Sequence, residues 1–305
     1  MTAALIHALS SAAGDAKRLG DSLGIATHDI AVHGFPDGEL RVTVAAASPV
    51  AIVYAPLDRP NDKLITILFA AEALRRNGAR RVILVAPYLC YMRQDAAFRA
   101  GEAISQRVIG RLLADAFDRI VTVDAHLHRT RDIRKVFPGA EADDLSAVPA
   151  IAAALRKSGL DPATIVVGPD SESRAWVGHL AAELGLAATV ADKRRHDDLS
   201  VDITFADTAK LAERPALLLD DIVSSGGTLI ACANALGAAG ARSVDAIVTH
   251  ALFPMDLMPS FKAAGIRSLR STHSVPHPTN AIPLDDILAE ALRGELVDRV
   301  AGDMP

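Results

Sequence analysis

Residues 217–229 read LLLDDIVSSGGTL, and this stretch decides the fold. The apolar run Leu217–Leu219 is typical of a buried parallel strand, and the paired carboxylates of Asp220 and Asp221 follow it directly. Two hydroxyl residues, two glycines and a threonine then lead into an Ala-rich stretch with the character of a helix. We therefore predict a strand, a tight glycine-rich turn and a helix in succession.

The turn after this strand has small side chains at five consecutive positions, namely Ser224, Ser225, Gly226, Gly227 and Thr228. Such residues leave backbone N–H groups and hydroxyls accessible where a helix begins, which suits a phosphate. The carboxylates of Asp220 and Asp221 only accept hydrogen bonds, so they suit sugar hydroxyls or Mg²⁺. The pattern predicts a sugar-phosphate site, and a solvated turn without a ligand is the plainer alternative. The spacing does not match the P-loop of nucleoside triphosphatases.

Outward from this stretch, apolar strand-like runs alternate with Ala- and Leu-rich helical runs. This alternation predicts an α/β fold with parallel sheets and helices on both faces. Strands are predicted at residues 51–54, 82–86, 120–123, 164–167 and 244–249, and helices at 64–76, 105–116, 148–157, 175–184, 229–238 and 284–292.

An internal similarity favours a duplicated domain. The pattern Ala-Leu-x-x-x-Gly-Ala-Arg-x-Val occurs at residues 73–82 and again at 235–244, an offset of 235 − 73 = 162 residues. We interpret the chain as two doubly wound domains related by internal duplication. The polar stretch 139–146, GAEADDLS, is the predicted boundary, so the domains are expected to span residues 1–145 and 146–305.

Composition narrows the class of protein. The 305 residues, 50% hydrophobic and 23% charged, suffice for two domains with their own cores. A formal charge of −5 argues against nucleic-acid binding, so anionic substrates require local basic clusters. Cys90 and Cys232 form neither a disulfide framework nor a metal site, and we expect reduced thiols. With no apolar run of membrane-spanning length and no signal-like N-terminus, we predict a cytoplasmic protein that binds no membrane.

Residues 33–44, HGFPDGELRVTV, predict a turn before an alternating strand. In this turn Phe35 stands beside Asp37 and Glu39. An aromatic ring next to carboxylates suits stacking on a nucleobase and accepting hydrogen bonds from its amine. An ordinary hairpin turn is the alternative.

Two more polar groups follow predicted strands of the first half. Arg93 and Gln94 come shortly after strand 82–86, where they suit a polyphosphate and a base edge. Asp124 and His126 follow strand 120–123 and lie on one side of an extended segment, a spacing that suits a metal or a phosphate. A histidine at a strand end is more commonly a satisfied polar residue.

The second half contributes an acid and a basic cluster. Asp170 directly follows a predicted strand, within VVGPDSESR. Lys193, Arg194 and Arg195 stand together in ADKRRHDD, and they offer several charge-assisted donors from a predicted loop. A solvated surface turn is the alternative for this charge run.

Together these stretches resemble the ribose-phosphate diphosphokinases, or PRPP synthetases. Residues 217–229 resemble the 5-phosphoribosyl diphosphate (PRPP) binding motif, which type I phosphoribosyltransferases share. Residues 87–95 match the synthetase pattern Pro-Tyr-x-x-Tyr-x-Arg-Gln-Asp, and residues 35–39 match Phe-x-Asp-Gly-Glu. Residues 99–105 resemble the archaeal branch more than the common bacterial form, so we expect no ordinary feedback by ADP.

The resemblance implies a role for each of these residues. It assigns ATP to Phe35, Asp37, Glu39, Arg93, Gln94, Asp95 and His126, with the Phe35 turn meeting ATP bound to a neighbouring subunit. It assigns ribose 5-phosphate to Asp220, Asp221, Ser224, Ser225, Gly226, Gly227 and Thr228. It assigns the metal, Mg²⁺, to His126 and Asp170, and catalysis to Lys193 and Arg195 in a mobile loop.

The implied activity belongs to nucleotide biosynthesis. A diphosphoryl group passes from Mg-ATP to the anomeric hydroxyl of ribose 5-phosphate, giving PRPP and AMP. The first phosphoribosyltransferase-like domain would take ATP, the second the sugar phosphate, and a homo-oligomer would share the ATP site between subunits. Two alternatives stay open: a phosphoribosyltransferase that consumes PRPP, and a non-catalytic regulatory subunit. Retention of His126, Lys193 and Arg195 favours an active enzyme.

Overall fold

A computed structural model describes residues 4–45, 48–127, 129–130, 132–195 and 201–296, with the backbone alone at 193–195 and 201–202. The strands are β1 Ala4–Leu9, β2 Thr27–Gly34, β3 Leu40–Thr43, β4 Val50–Tyr54, β5 Arg81–Ala86, β6 Arg119–Val123, β7 Glu141–Leu145, β8 Ile165–Gly168, β9 Ala187–Val190, β10 Asp192–Arg195, β11 Val201–Thr204, β12 Pro215–Val223, β13 Ser243–Ala251, β14 Ile266–Thr272 and β15 Asn280–Ile282. The helices are α1 Ala13–Leu23, α2 Pro60–Arg76, α3 Ser105–Ala116, α4 Val148–Ser158, α5 Arg174–Leu184, α6 Gly227–Ala238, α7 Met258–Ala263 and α8 Asp285–Leu292. None of these helices is long and apolar enough to cross a membrane.

The chain forms two compact units. The first holds the residues up to Ser146 together with Ser274–Pro276 and the chain from Leu284, and the second holds Ala147–His273 and His277–Pro283. Within the polar stretch 139–146, residues 141–145 form the edge strand β7 and so belong to the sheet of the first unit.

The first unit is a sheet in the order β3-β2-β1-β4-β5-β6-β7. Only β3 is antiparallel, because it returns from β2 through a tight hairpin. The central strands β4, β5 and β6 are almost entirely buried. Their continuous Val/Ile/Leu runs are typical of strands in a parallel sheet that is covered on both faces. Buried residues of these strands, α2 and α3 form a core within this unit.

The second unit is a sheet in the order β15-β14-β13-β12-β8-β9, parallel throughout, with the two-stranded ribbon β10-β11 beside it. Counted in chain order, the parallel strands of both units follow the same sequence, second, first, third, fourth, fifth and sixth. The fourth strands, β5 and β13, begin 243 − 81 = 162 residues apart, the offset of the sequence repeat. Shared topology and offset support the predicted duplication.

The end of the chain returns to the first unit, so the second unit stops short of residue 305. Helix α8 packs on α1. Beyond it, the carboxylate of Glu295 lies between two arginines, 2.6 Å from Nε of Arg81 and 2.9 Å from Nη1 of Arg119. These arginines begin β5 and β6, and they also pair with Glu141 and Asp143 of β7. A local sequence pattern does not show this, because the partners are far apart in the chain.

Candidate active site

The paired acids lie inside the last part of β12, which runs four residues beyond the predicted strand 217–219. Asp220 is 9% exposed and Asp221 is half-buried. Each carboxylate accepts the backbone N–H of the next residue, Asp221 N to Asp220 Oδ1 at 3.0 Å and Ile222 N to Asp221 Oδ1 at 2.8 Å. The backbone therefore orients both carboxylates at the carboxyl end of the strand, where ligands of open α/β sheets bind.

The segment Ser224–Thr228, here called the cradle, joins β12 to α6. Gly226 is the N-cap of α6 and has a left-handed backbone with φ of 77°. The first N–H groups of an α-helix have no partner within the helix. At the start of α6, the N-cap residue Gly226 makes no side-chain hydrogen bond to them. Ser225 and Gly227 are exposed while Gly226 is buried. The cradle therefore presents backbone donors at the positive end of a helix dipole, which is an anion-binding arrangement.

Asp170 stands at the end of β8, which pairs directly with β12. Its Oδ1 accepts the N–H groups of Glu172 (3.1 Å) and Ser173 (3.3 Å) and so caps the short turn 171–173. A Cβ at Gly168 would lie 1.9 Å from Ser173 Oγ, which explains the glycine at the strand end. Residues 170–174 all have negative φ, so the backbone of this turn requires no glycine. Asp170 thus shares one sheet edge with the cradle.

Lys193 and Arg195 lie on β10, which pairs antiparallel with β11. Their side chains lie outside the described residues, so their catalytic assignment stays a prediction. The ribbon is not isolated, because β11 packs against α6, the helix that begins at the cradle. The basic stretch therefore belongs to a hairpin, not to an irregular loop, as far as residue 195.

In the first unit, the loop after β5 closes on itself and on the loop after β6. Glu102 accepts the N–H groups of Phe98 and Arg99 and a hydrogen bond from Gln94 Nε2 at 3.3 Å. The Asp95 side chain, 1% exposed, accepts both the backbone N–H of Arg129 at 3.1 Å and its guanidinium at 2.6 Å. Asp95 therefore links the two loops, and its carboxylate faces the protein. Arg93 is exposed.

The turn that carries His126 is held by the edge strand β7. The N–H of Asp124 donates to Leu145 O at 2.8 Å, and the N–H of Ala125 donates to Asp144 Oδ1 at 2.8 Å. Burial raises the pKa of Asp144 to about 6, and the hydrogen bond from Ala125 opposes that rise. The half-buried His126 is thus placed by backbone bonds immediately before it in the chain.

The Phe35 turn joins β2 to β3 and is closed by Phe35 N to Glu39 O at 2.8 Å. The ring is 40% exposed and borders a cleft of about 550 Å³ with Phe69 and Arg76. In the sheet order, β1 and β4 separate β2 from β5. At about 4.8 Å per strand, this turn begins roughly 14 Å from the Arg93 loop and roughly 19 Å from the His126 turn. The fold does not bring these predicted ATP contacts together.

Backbone strain marks the carboxyl edge of the first unit's sheet, and no sequence pattern indicates it. Among the described residues, four non-glycine residues have positive φ, and three of them follow the ends of adjacent strands. Arg59 follows β4, Tyr91 follows β5 and Asp124 follows β6. Such conformations cost of order 1–3 kcal/mol each and cluster at functional sites. They make the carboxyl edge of the first unit a second candidate site.

Comparisons with known proteins agree with this geometry. Residues 4–116 match the N-terminal domain of ribose phosphate pyrophosphokinase, and residues 144–260 match the phosphoribosyl transferase domain. The chain is 30% identical to ribose-phosphate pyrophosphokinase 2 of Archaeoglobus fulgidus, over 90% of this chain and 95% of that protein. The chain belongs to the ribose-phosphate pyrophosphokinase family.

Members of this family on both sides of the archaeal and bacterial divide are similar to the chain. The ribose-phosphate pyrophosphokinase of Maricaulis maris is 32% identical over 89% of this chain and 88% of its own length. The crystal structure of phosphoribosylpyrophosphate synthetase from Mycobacterium smegmatis superposes with a TM-score of 0.81 at 25% identity, covering 95% of this chain and 98% of that one. The likeness therefore extends over both units.

Ribose-phosphate pyrophosphokinases are expected to use Mg²⁺, and the acids of the chain fit that ion. Among the residues that the structure describes, no group of three or more His, Cys, Asp or Glu side chains is placed to hold a metal. Mg²⁺ needs no such cage, because it retains waters and binds through one or two carboxylates plus substrate phosphates. Asp170, Asp220 and Asp221 supply carboxylates at one sheet edge. An imidazole suits this hard cation less well, so His126 as a ligand stays a prediction.

Proposed function

We propose that the protein transfers the diphosphoryl group of ATP to the anomeric hydroxyl of ribose 5-phosphate, giving PRPP and AMP. The observation that carries this proposal is the cradle at the start of α6, directly after two oriented carboxylates on β12. The cradle suits an anion and the carboxylates suit hydroxyl groups, and a sugar phosphate carries both. Family membership supplies the reaction.

On the sugar side, the N–H groups at the start of α6 and the hydroxyls of Ser224, Ser225 and Thr228 would hold the 5-phosphate. Asp220 and Asp221 would accept hydrogen bonds from the ribose hydroxyls, because their carboxylates already lie along the strand end. Asp170, on the neighbouring strand, would face the same substrate with Mg²⁺. The ion, when bound, would neutralise phosphate charge during transfer.

On the ATP side, Arg93 and Gln94 would bind the polyphosphate and the base edge, with His126 beside them. Asp95 would act as a positioning residue, since its carboxylate is paired with Arg129. The turn of Phe35, Asp37 and Glu39 would reach ATP bound to a second copy of the chain. The sheet order supports this division, because the turn lies three strand positions from the Arg93 loop of its own chain. A homo-oligomer follows from this proposal.

For the chemistry, the anomeric oxygen would attack the β-phosphorus in line while the bond from that phosphorus to the oxygen of AMP breaks. No covalent enzyme intermediate is required. The residues of the chain would contribute position and charge, as in other phosphoryl transfers. Lys193 and Arg195 would spread the charge of the transition state. We also propose a cytoplasmic location, because both cysteines are buried free thiols, as a reducing compartment allows.

The test is ³¹P NMR of the purified protein with Mg²⁺, ATP and ribose 5-phosphate, with and without inorganic phosphate. We expect AMP and a sugar 1-diphosphate in equal amounts. Turnover without added phosphate would support the archaeal-like character of residues 99–105. Binding of ribose 5-phosphate without turnover in either sample would refute the proposal and favour a regulatory subunit. In a separate sample that contains PRPP and a free base, consumption of PRPP would favour a phosphoribosyltransferase.

A further inference from the structure

The cradle rests on an aromatic side chain that belongs to no recognisable sequence motif. A Cβ built on Gly226 would lie 2.7 Å from Cε1 and 2.8 Å from Cζ of Phe261. The ring edge of Phe261, from α7, therefore occupies the space beside the Gly226 Cα and is itself 1% exposed. Because Gly226 is the N-cap of α6, this contact acts on the residue that sets where the helix begins.

Phe261 is the first member of a chain of ring contacts. Its ring meets Phe253 edge to face, with centroids 5.0 Å apart and an interplanar angle of 83°. The Phe253 ring meets His277 with centroids 4.5 Å apart. Such tilted pairs are the favoured geometry for aromatic rings, and they add to the energy of burial. We call Phe261, Phe253 and His277 the aromatic support.

The outer end of the aromatic support is fixed by hydrogen bonds. The N–H of Thr279 donates to Nδ1 of His277 at 3.3 Å, which assigns the ring proton to Nε2. That nitrogen then donates to the carbonyl of Phe253 at 3.0 Å. The hydroxyl of Thr279 lies 2.7 Å from the same Nδ1. His277, in the loop before β15, is thus tied to Phe253 both through its ring and through Nε2.

Leu252, the residue before Phe253, also holds the chain where the cradle begins. The N–H of Leu252 donates to the carbonyl of Val223 at 2.9 Å, immediately before Ser224. The residue before the cradle is therefore held through its carbonyl at Val223, and the middle of the cradle is held by the Phe261 ring at Gly226. The donors of the cradle are presented on a turn that is fixed at these two points, which is how a binding site is preorganised.

We propose that the aromatic support sets the shape of the cradle and thereby the affinity for ribose 5-phosphate. Phe261, Phe253 and His277 are positioning residues, because they act through Gly226 and Val223 and not on the substrate. This inference rests on the proposed function of the cradle. It adds that a sugar-phosphate affinity is determined by a buried apolar contact behind the cradle, and that His277, in the loop between β14 and β15, contributes to it.

The test compares Phe261→Leu with Phe117→Leu. Phe117, at the end of α3 in the first unit, is also 1% exposed, so both variants lose a fully buried ring. Calorimetric titration with ribose 5-phosphate, without ATP, measures the affinity directly, and steady-state kinetics gives KM for each substrate. Phe261→Leu should weaken ribose 5-phosphate binding about tenfold, because a loosened turn misplaces its donors. The KM of Phe261→Leu for ATP should stay within about twofold of the wild-type value. For Phe117→Leu, both the affinity for ribose 5-phosphate and the KM for ATP should stay within the same range.

The half-buried His277 allows a second variant that spares the inner core. His277→Gln should weaken ribose 5-phosphate binding by about threefold, since the support loses its outer ring but keeps Phe261 in place. If Phe261→Leu does not fold, this variant decides the question. Unchanged affinity in the folded variants, or equal weakening in Phe117→Leu, would overturn the inference while wild-type turnover leaves the proposed function intact. A wild-type protein that binds no ribose 5-phosphate would overturn both.

Discussion

Removing the charge of Glu295 should destabilise the first unit. Its side chain is 3% exposed and bridges Arg81 and Arg119, which are 19% and 13% exposed. Burial disfavours the charge, but the hydrogen bonds from both arginines outweigh it and lower the pKa of Glu295 below its ordinary 4.5. Glu295→Gln keeps the size of the side chain and removes the charge.

The cost follows from what remains in place. Removing one partner of a buried ion pair typically costs about 3–5 kcal/mol. Here each arginine keeps a second carboxylate, Glu141 for Arg81 and Asp143 for Arg119, and both of these are more exposed. We therefore expect the lower end, about 3 kcal/mol, which lowers Tm by about 6–12 °C for a unit of this size. A group with a lowered folded-state pKa stabilises above its unfolded pKa and loses that effect as pH falls through the folded pKa.

The measurement is thermal unfolding by circular dichroism at several pH values, with hydrogen exchange of β5, β6 and α8. The control is Glu290→Gln, an exposed glutamate on α8. Glu295→Gln should melt well below the control at pH 7, and the difference should shrink below the ordinary glutamate pKa of 4.5. A Tm at pH 7 equal to that of the control, or a difference that does not change with pH, would refute the reasoning.

Three further predictions concern the proposed activity. Asp220→Asn should raise KM for ribose 5-phosphate about tenfold in steady-state assays, because the oriented carboxylate loses acceptor strength toward sugar hydroxyls, whereas an unchanged KM would count against the sugar assignment. Asp95→Asn should lower kcat/KM for ATP about tenfold with KM for ribose 5-phosphate unchanged, since Arg129 loses its charged partner and the two loops separate; equal losses for both substrates would contradict this. Phe35→Ala and Lys193→Ala chains, each impaired alone, should recover about a quarter of wild-type activity when co-expressed in equal amounts, because random assembly leaves both residues intact in about one shared site in four; no recovery would place the Phe35 turn in its own chain's site.

The parts of the fold that depend on local patterns were predictable from the sequence. Helix α3 was expected at residues 105–116 and begins and ends there. The strand, acids, turn and helix of residues 217–229 occur in the predicted order. The first strand, first helix and β2 were not predicted, because residues 1–34 lack a clear period. Strand β7 was also missed within the polar boundary stretch 139–146, because an edge strand can carry charged side chains.

Distant contacts account for what the sequence could not show. Asp95 belongs to a motif that suggests an ATP contact, yet its charge is used by Arg129, 34 residues away. Phe261 reads as an ordinary core residue of a short helix, and only the fold places it against Gly226. Glu295 reads as part of a helix exit, while its partners lie more than 170 residues earlier. In each case the residue type was visible and the partner was not.

These contacts share a physical pattern. Residues proposed to touch substrate lie at the carboxyl edges of the parallel sheets, on turns and helix starts. Each turn is held by a buried or paired group behind it: Asp144 behind the His126 turn, Asp95 behind the Arg93 loop and Phe261 behind the cradle. A motif search finds the exposed residues, because chemistry restricts their type. The supporting residues are restricted only by geometry, so charge, hydrogen bonding and aromatic packing serve equally well, and only a structure can identify them.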